Sequence, residues 1–355
     1  MPSAVYAHAL PIMARSKTMI VWLLFFSSQI VSGFVAADDV TRQNNIVGPP
    51  IAQGQFHNLR EPSGITALDE QTLIVIEDEA SRALQRLAVT SRTNSDSDLA
   101  GFTFEEFDQP NAKGFIQRRL LAPLDDLEGI ARVSSSQFFI IGSHENASRG
   151  KHPNREKFAL LTRDGNDIVS AAMRRDFFDQ LIVHYPVLAD IVDGSKKGKP
   201  RALNIEALAF DRKRQTLLIG LRTPLLDNKS IVVSLGNAIA YAQGAEPEFA
   251  NALHIINLEK QGIRAMAYDD QSDKLVIVGK RESGSKKRST LWIMAAALDS
   301  APQRQTHDDK DLFRDVEGLT PLGGGLLFVR DSGNKPKKDN NHWFILKRSQ
   351  LGLDR

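Results

Sequence analysis

Asp126-Leu-Glu-Gly-Ile-Ala131, followed by Phe138-Phe-Ile-Ile-Gly-Ser-His-Glu145, is the stretch that decides the fold. An acid beside a glycine opens an apolar strand, a short turn follows, and a second apolar strand ends in a polar tip. The unit recurs four more times along the chain. Two close copies begin at Asn204 and Asp315, and two looser copies begin at Glu61 and Gly262.

The spacing of these copies indicates a β-propeller. Counted from the residue after each acid or its equivalent, the copies are 65, 78, 58 and 53 residues apart. Antiparallel meanders of this length cannot bury both faces alone, and they do so by packing around a ring. We predict an all-β propeller over residues 61–355 with five four-stranded blades, and a six-bladed ring remains the alternative. The last copy is one strand short, and we expect residues 38–60, with a strand near Gln55–His57, to close it.

Residues 173–193 interrupt the strand pattern. Apolar side chains recur there at the spacing of an amphipathic helix, and Pro186 is expected to break that helix. The apolar stripe consists of Phe177, Leu181 and Tyr185. We therefore predict a helical insertion between the second and third blades. Two roles remain open for it, a lid over the channel mouth and a static helix packed along a blade.

Composition excludes several classes of protein. The chain has 355 residues, a formal net charge of +2 and no cysteine. A net charge this small, without a basic stripe carrying aromatic residues, argues against nucleic-acid binding. The lack of cysteine excludes disulfides, thiolate metal ligands and cysteine nucleophiles. We expect a monomer whose apolar core alone stabilises the fold.

The N-terminus has the pattern of a secretory signal. Arg15 and Lys17 precede an apolar run that starts at Met19, and Val35-Ala-Ala37 offers the small residues that a signal peptidase needs. This pattern predicts a signal peptide over residues 1–37 and a periplasmic or secreted bacterial protein. Because the apolar run is short, we expect no stable membrane span after cleavage, although an uncleaved anchor remains the alternative.

Equivalent positions in the five copies should form rings around the channel. The first ring, at the starts of the inner strands, comprises Ser63, Glu128, Glu206, Arg264 and Glu317. The second ring, at the polar ends of the next strands, comprises Asp78, Ser143, His144, Arg222, Lys280, Arg281, Arg330 and Asp331. The sequence distance between the two rings is similar in every copy, which supports the assignment.

The residue types of these rings suit two kinds of ligand. Arginine forks and lysines bind phosphate or carboxylate groups, so the rings predict a site for a small anion. The glutamates at 128, 206 and 317 have the oxygen ligands that calcium prefers, which makes calcium the candidate cofactor. The competing interpretation is that the glutamates join neighbouring blades. His144 is the candidate for proton transfer, and a hydrogen-bonding role for it remains the alternative.

At these residues the chain resembles a bacterial family known only as a domain of unknown function. The resemblance covers about residues 60 to 347, and it is carried by the Glu-Gly strand starts, by Ile141-Gly-Ser-His144 and by Asn204-Ile-Glu-Ala-Leu-Ala209 with Gly220-Leu-Arg-Thr-Pro224. The pattern is also similar to that of esterase-like phytase propellers, which share the Glu-Gly starts. Ala207 and the pair Arg264-Ala265 depart from it.

Two functions follow as hypotheses. The first is a binding protein whose polar funnel takes a small anionic ligand or a periplasmic protein. The second, implied by the phytase-like resemblance, is a hydrolase of phosphoric or carboxylic esters. No Gly-x-Ser-x-Gly elbow, His-Glu-x-x-His motif or phosphate-binding glycine loop appears in the sequence, so no motif selects a reaction.

The signal prediction has a direct test. When the full chain is expressed in a bacterium and recovered from the periplasm or medium, its N-terminal residue should be Asp38. Intact-mass measurement and N-terminal sequencing check this. A membrane-associated chain that retains residues 1–37 would show instead that the segment is an uncleaved anchor.

Overall fold

The computed structural model describes residues 45–57, 59, 61–78, 84–89, 103–108, 126–144, 155–193, 203–281, 289–331 and 342–354. The predicted signal segment lies outside these residues. The described strands form five separate sheets, and each sheet meets its two neighbours through its first strand. The protein is therefore a five-bladed β-propeller, which confirms the predicted fold class.

The inner strands of the five blades form a closed ring around the channel, because each contacts the inner strand of the next blade and the fifth contacts the first. In order, they are β3 (Pro62–Ala67), β7 (Leu127–Arg132), β11 (Asn204–Asp211), β15 (Gly262–Asp269) and β19 (Val316–Leu322). Most of their side chains are buried between adjacent blades. Alternate residues of β11 pack toward opposite sides, with Leu208 and Phe210 in one core cluster and Ala207 and Ala209 in another.

The other strands follow in antiparallel order toward the rim of each blade. The second strands are β4 (Thr72–Glu77), β8 (Gln137–Gly142), β12 (Thr216–Thr223), β16 (Lys274–Lys280) and β20 (Gly325–Arg330). The third strands are β5 (Leu84–Val89), β9 (Phe158–Asp164), β13 (Ser230–Leu235), β17 (Ser289–Ala295) and β21 (Trp343–Lys347). The outer strands of blades 1 to 4 are β6 (Phe104–Asp108), β10 (Asp167–Arg174), β14 (His254–Ile256) and β18 (Gln303–Thr306).

The two ends of the chain meet in blade 5. Its fourth strand is β2 (Ala52–Gly54), which pairs antiparallel with β21. This strand lies three residues before the predicted position, and Phe56 is instead buried against the ring of His342, whose Nδ1 accepts the Phe56 N–H at 3.1 Å. A further strand, β1 (Asn45–Ile46), adds in parallel to β18. The N-terminal segment thus joins blade 4 to blade 5.

Every inner strand carries a β-bulge at the same place. The register between inner and second strand shifts across one residue in each blade. The skipped residues are the five members of the first ring: Ser63, Glu128, Glu206, Arg264 and Glu317. Because a bulged residue has no opposite partner, its side chain is redirected relative to the regular pleat. The bulged position, which is a glutamate in three of the five blades, is therefore where each inner strand departs from the regular pleat.

Steric crowding explains why a glycine follows the acid. A Cβ at Gly318 would lie 2.9 Å from the Ile65 backbone nitrogen and 3.0 Å from the Gly64 carbonyl carbon of the neighbouring blade. A Cβ at Gly129 would lie 2.9 Å from Cγ of Leu208. The inner strands approach so closely at this level that a side chain does not fit at these two positions.

The insertion is shorter than predicted and is made of two helices. Met173 and Arg174 still belong to β10, and the helices are α1 (Phe177–His184) and α2 (Pro186–Asp193). Pro186 begins the second helix, which explains the break. The predicted apolar stripe is buried in the core shared by blades 2 and 3. This burial fits the packed alternative, and the lid role stays a prediction.

The described residues also include two short helical segments, α3 (Ala238–Ala242) and a 3-10 turn at Ser349–Leu351. Within the described ranges, no helix has both the length and the apolar character needed to cross a membrane.

The glycine constraint predicts a position-specific loss of stability. Gly318→Ala should lower the free energy of unfolding by about 1–3 kcal/mol, because backbone atoms of blade 1 must shift to make room. Gly236→Ala is the control, since a Cβ there would meet only the Glu248 carbonyl oxygen at an ordinary 3.5 Å. The control should change stability by less than about 0.5 kcal/mol. Urea denaturation of both variants measures this, and equal effects would refute the close approach at Gly318.

Candidate functional site

Both predicted rings lie at one end of the channel, which we call the strand-start mouth. The inner and second strands are antiparallel, so the start of one lies beside the end of the other. Gly262 pairs with Lys280 and Val316 pairs with Arg330. The geometry therefore brings together the levels that the sequence treats as two separate rings.

Three charged residues of the first ring form a buried chain of ion pairs. Arg264, on blade 4, pairs with Glu206 on blade 3 at 2.7 Å and also with Glu317 on blade 5. Arg222, at the end of the second strand in blade 3, pairs with Glu206 as well. The exposed fraction of the Glu206 side chain is 1%. These contacts correspond to the interpretation in which the glutamates join neighbouring blades.

Glu128 differs from the other two glutamates. Burial raises its pKa well above the ordinary 4.5, and the charges of Glu206 and Asp126 raise it further, whereas Arg264 lowers it. On the other side of Glu128, the Ser63 hydroxyl donates to the Leu127 carbonyl and so links blade 1 to blade 2. The first ring is thus acidic on balance near Glu128, which disfavours a second anion at this level.

Ser143 and His144 enter different surroundings. The Ser143 hydroxyl donates to Asp126, which also pairs with Arg155 at 2.9 Å. The His144 ring packs edge-on against Phe177 of α1, with ring centroids 5.6 Å apart. Its Nδ1 lies 2.9 Å from the Gly142 carbonyl oxygen, which only accepts, so Nδ1 carries the proton of the neutral ring. Burial lowers the pKa of His144 to about 4.

The remaining second-ring cations have protein partners. Lys280 Nζ is 3.4 Å from Asp315, and Arg281 donates to the Glu259 carbonyl at 3.1 Å. The Arg330 guanidinium stacks over Phe344 and donates to the Leu312 carbonyl. Asp331 donates its backbone N–H to the Asp315 carbonyl.

The small cavity that Glu128, Glu206 and Glu317 help to line is about 10 Å³, room for about one water.

Across the described part of the chain, no group of three or more His, Asp or Glu side chains is arranged to hold a metal ion. The calcium assignment therefore stays a prediction from residue type.

The larger space lies at the opposite end of the channel, which we call the strand-end mouth. A cavity of about 380 Å³ opens there between the ends of all five inner strands. Each inner strand contributes an apolar residue to its lining: Ile65, Ile130, Leu208, Met266 and Leu319, whose side chains are almost fully buried in the cores between blades. The hairpin turns that follow the inner strands supply its polar rim. Sequence reasoning about strand starts did not reach this end.

Three charged side chains of this rim meet across three blades. Arg132 Nη2 lies 3.4 Å from Asp270 Oδ2, and Arg212 pairs with the same oxygen. The other terminal nitrogen of Arg132 is 3.3 Å from the carbonyl oxygens of Ala67 and Leu68, which fixes its position. Burial and the charge of Arg132 lower the pKa of Arg212 to about 10.

A sequence signal for this cluster does exist. Arg132 is the last residue of β7, while Arg212 and Asp270 directly follow β11 and β15. Arg212 and Asp270 are equivalent positions of successive copies, each six residues after its first-ring residue, whereas Arg132 follows its own by four. The ring argument applied to the strand ends would therefore have brought Arg212 and Asp270 together.

The fold and this cavity define the class of the protein as a β-propeller with an axial cavity. A family model described as "Protein of unknown function (DUF3616)" matches residues 161–317. This agrees with the predicted resemblance to a family of unknown function, whereas the phytase-like part of the resemblance stays a prediction. Among curated proteins, none matches the chain.

Several solved structures are similar in shape. Kuenenia stuttgartiensis hydrazine synthase has 13% identity and a TM-score of 0.40, with 84% of this chain and 80% of that chain covered. The WD40 β-propeller domain of Doa1 has 9% identity and a TM-score of 0.31, with 81% and 68% covered. Bacteroides ovatus xyloglucan PUL GH43B has 10% identity and a TM-score of 0.42, with 85% and 53% covered. Likenesses this distant carry no argument about activity.

The raised pKa of Glu128 predicts that replacing this residue increases the free energy of unfolding by an amount that depends on pH. An unfolded glutamate ionises near 4.5, but the folded protein keeps this proton to higher pH, so its contribution to stability falls as pH rises above 4.5. Glu128→Gln has no ionisable group at this position, so it does not lose stability in this way as pH rises. Its free energy of unfolding relative to wild type should therefore increase between about pH 5 and about pH 8.

Urea denaturation across this range measures the difference. Glu105→Gln, at an exposed position on β6, is the control and should track the wild type at every pH. A constant difference for Glu128→Gln would contradict the assignment of the raised pKa.

Proposed function

We propose that the protein is an exported bacterial propeller that binds a small organic molecule in the cavity at the strand-end mouth. The observation that carries this proposal is the cavity itself, about 380 Å³ in size, with a wall of mixed polar and apolar character and charged side chains at its rim. Ligand sites commonly have this size, and they often lie where several elements of a fold converge. Export rests on the sequence of the N-terminal segment.

The first ring is better suited to joining blades than to holding a ligand. Its arginine is already paired with two glutamates, and the space between the glutamates is about the size of one water. We therefore assign the predicted anionic ligand to the other end of the channel, and leave to the strand-start residues a role in holding blades 3, 4 and 5 together. A periplasmic protein partner remains a separate proposal without a contact that favours it.

The hydrolase hypothesis has less support. Ser143 is held by Asp126 while the His144 ring faces Phe177, so the two side chains do not act on one another. A serine nucleophile needs a base within hydrogen-bond reach. Binding is the function we prefer for this reason.

A cavity-blocking variant tests the proposal. Gln271 lines the cavity at an exposed turn, and Gln271→Trp should place a large ring across the mouth. Ser135→Trp is the matched control, because Ser135 is also exposed in the hairpin turn of blade 2 but does not line the cavity. The probes are benzamide, indole, benzoate and phenyl phosphate, each with and without calcium, measured by thermal shift and calorimetry.

We expect at least one probe to stabilise the wild type and the Ser135→Trp control, and Gln271→Trp to lose most of that stabilisation. Binding that is unchanged in Gln271→Trp, or no binding by any probe, would refute the cavity as the site. Hydrolysis of p-nitrophenyl phosphate or acetate by the wild type, lost in His144→Ala, would favour the enzyme instead.

A further inference from the structure

Two guanidinium groups converge on one carboxylate oxygen at the edge of the cavity. Arg132 from blade 2 and Arg212 from blade 3 both contact Oδ2 of Asp270 from blade 4. A guanidinium fork is geometrically matched to two acceptor oxygens, and here two forks share one. The single carboxylate of Asp270 balances only one of the two positive charges, so the cluster of these three side chains carries a net charge of +1.

The neighbouring acids have partners of their own. Asp69 pairs with Arg163 at 2.6 Å, and its other oxygen accepts the N–H groups of Gln71 and Thr72. Asp269 is buried and pairs with Arg348 through both of its oxygens. Asp270 is therefore the carboxylate that pairs with both cavity arginines, and 39% of its side chain is exposed.

The position of Asp270 makes it exchangeable. It lies in the turn that follows β15, just as Arg212 lies in the turn that follows β11, and both residues line the cavity. A partly exposed ion pair contributes little net stability because water competes for both charges. An anion that entered the cavity would meet the same two arginines from inside it.

We propose that the cavity takes an organic monocarboxylate, whose carboxylate replaces that of Asp270 between Arg132 and Arg212 while the rest of the molecule lies in the cavity. This inference rests on the proposed function and names the class of ligand. Asp270 stays at the rim after the exchange, so two carboxylates then balance the two arginines. A phosphate monoester would bring additional negative charge close to Asp69, Asp269 and Asp270.

The test uses benzoate with its neutral isostere benzamide, and phenyl phosphate as the dianion, on the full mature chain. Benzoate should bind more tightly than either of the others. Arg132→Gln and Arg212→Gln should each weaken benzoate by about tenfold or more, since each removes charged hydrogen bonds. Arg214→Gln is the control, because Arg214 follows the same strand and is ion-paired to Asp211 and Asp273 but does not line the cavity.

Asp270→Asn should change benzoate binding in the opposite direction to the arginine variants, and this makes it the most specific test. Because the internal competitor loses its charge while its shape is kept, benzoate should bind up to about fivefold more tightly, the worth of a partly exposed ion pair. Benzamide binding should not change. This variant keeps the test decisive even if an arginine variant fails to fold.

The failures of the two proposals are distinguishable. If benzamide or indole binds and Gln271→Trp blocks it, but benzoate binds no better and Asp270→Asn has no effect, the monocarboxylate inference is wrong and the cavity function stands. Tightest binding by phenyl phosphate would also refute the monocarboxylate. If none of the probes binds, both proposals fall.

Discussion

The close approach of five inner strands around one axis is the constraint on which the rest of the structure depends. At the level of the first ring, neighbouring backbones come so near that Gly129 and Gly318 have no room for a Cβ. Each strand bulges at the preceding residue, which places one side chain per blade at the axis. The acid and the glycine thus act together. The glycine permits the close contact between neighbouring inner strands, and the side chain of the bulged residue occupies the space that remains at the axis.

The two ends of the channel differ in how their charged side chains are paired. At the strand-start mouth, Arg264 is shared by Glu206 and Glu317, and these charges are removed from water and committed to one another. Breaking such a pair leaves an unpaired buried charge, which is costly. These ion pairs are therefore suited to holding the blades together permanently. At the strand-end mouth, Arg132, Arg212 and Asp270 remain partly in contact with water, so their pairing is open to exchange.

The repeat pattern was enough to predict five blades, since each copy carried both the acid-glycine start and the second apolar strand. It also placed the ring glutamates and Arg264 at one level of the channel, because equivalent positions converge at an axis, but it left open whether they hold a ligand or join blades. It did not reveal that α1 and α2 are core elements, since a stripe such as Phe177 and Leu181 has the same period whether it covers a mouth or a blade. The cavity was missed because its charges lie in turns, where neither strand nor helix periodicity draws attention to them.

The route of the N-terminal segment has a consequence for how the chain reaches this state. The pairing of Ala52 with Ile345 joins residues from almost opposite ends of the sequence, and the pairing of Asn45 with Gln305 is nearly as distant. Loops this long lose much entropy on closure, and contacts of this kind slow folding. Blade 5 has no complete sheet until its last strand is available, so a chain that emerges N-terminus first holds an unpaired strand throughout its synthesis. Until Trp343–Lys347 has been made, β2 has no partner strand and the ring of blades stays open.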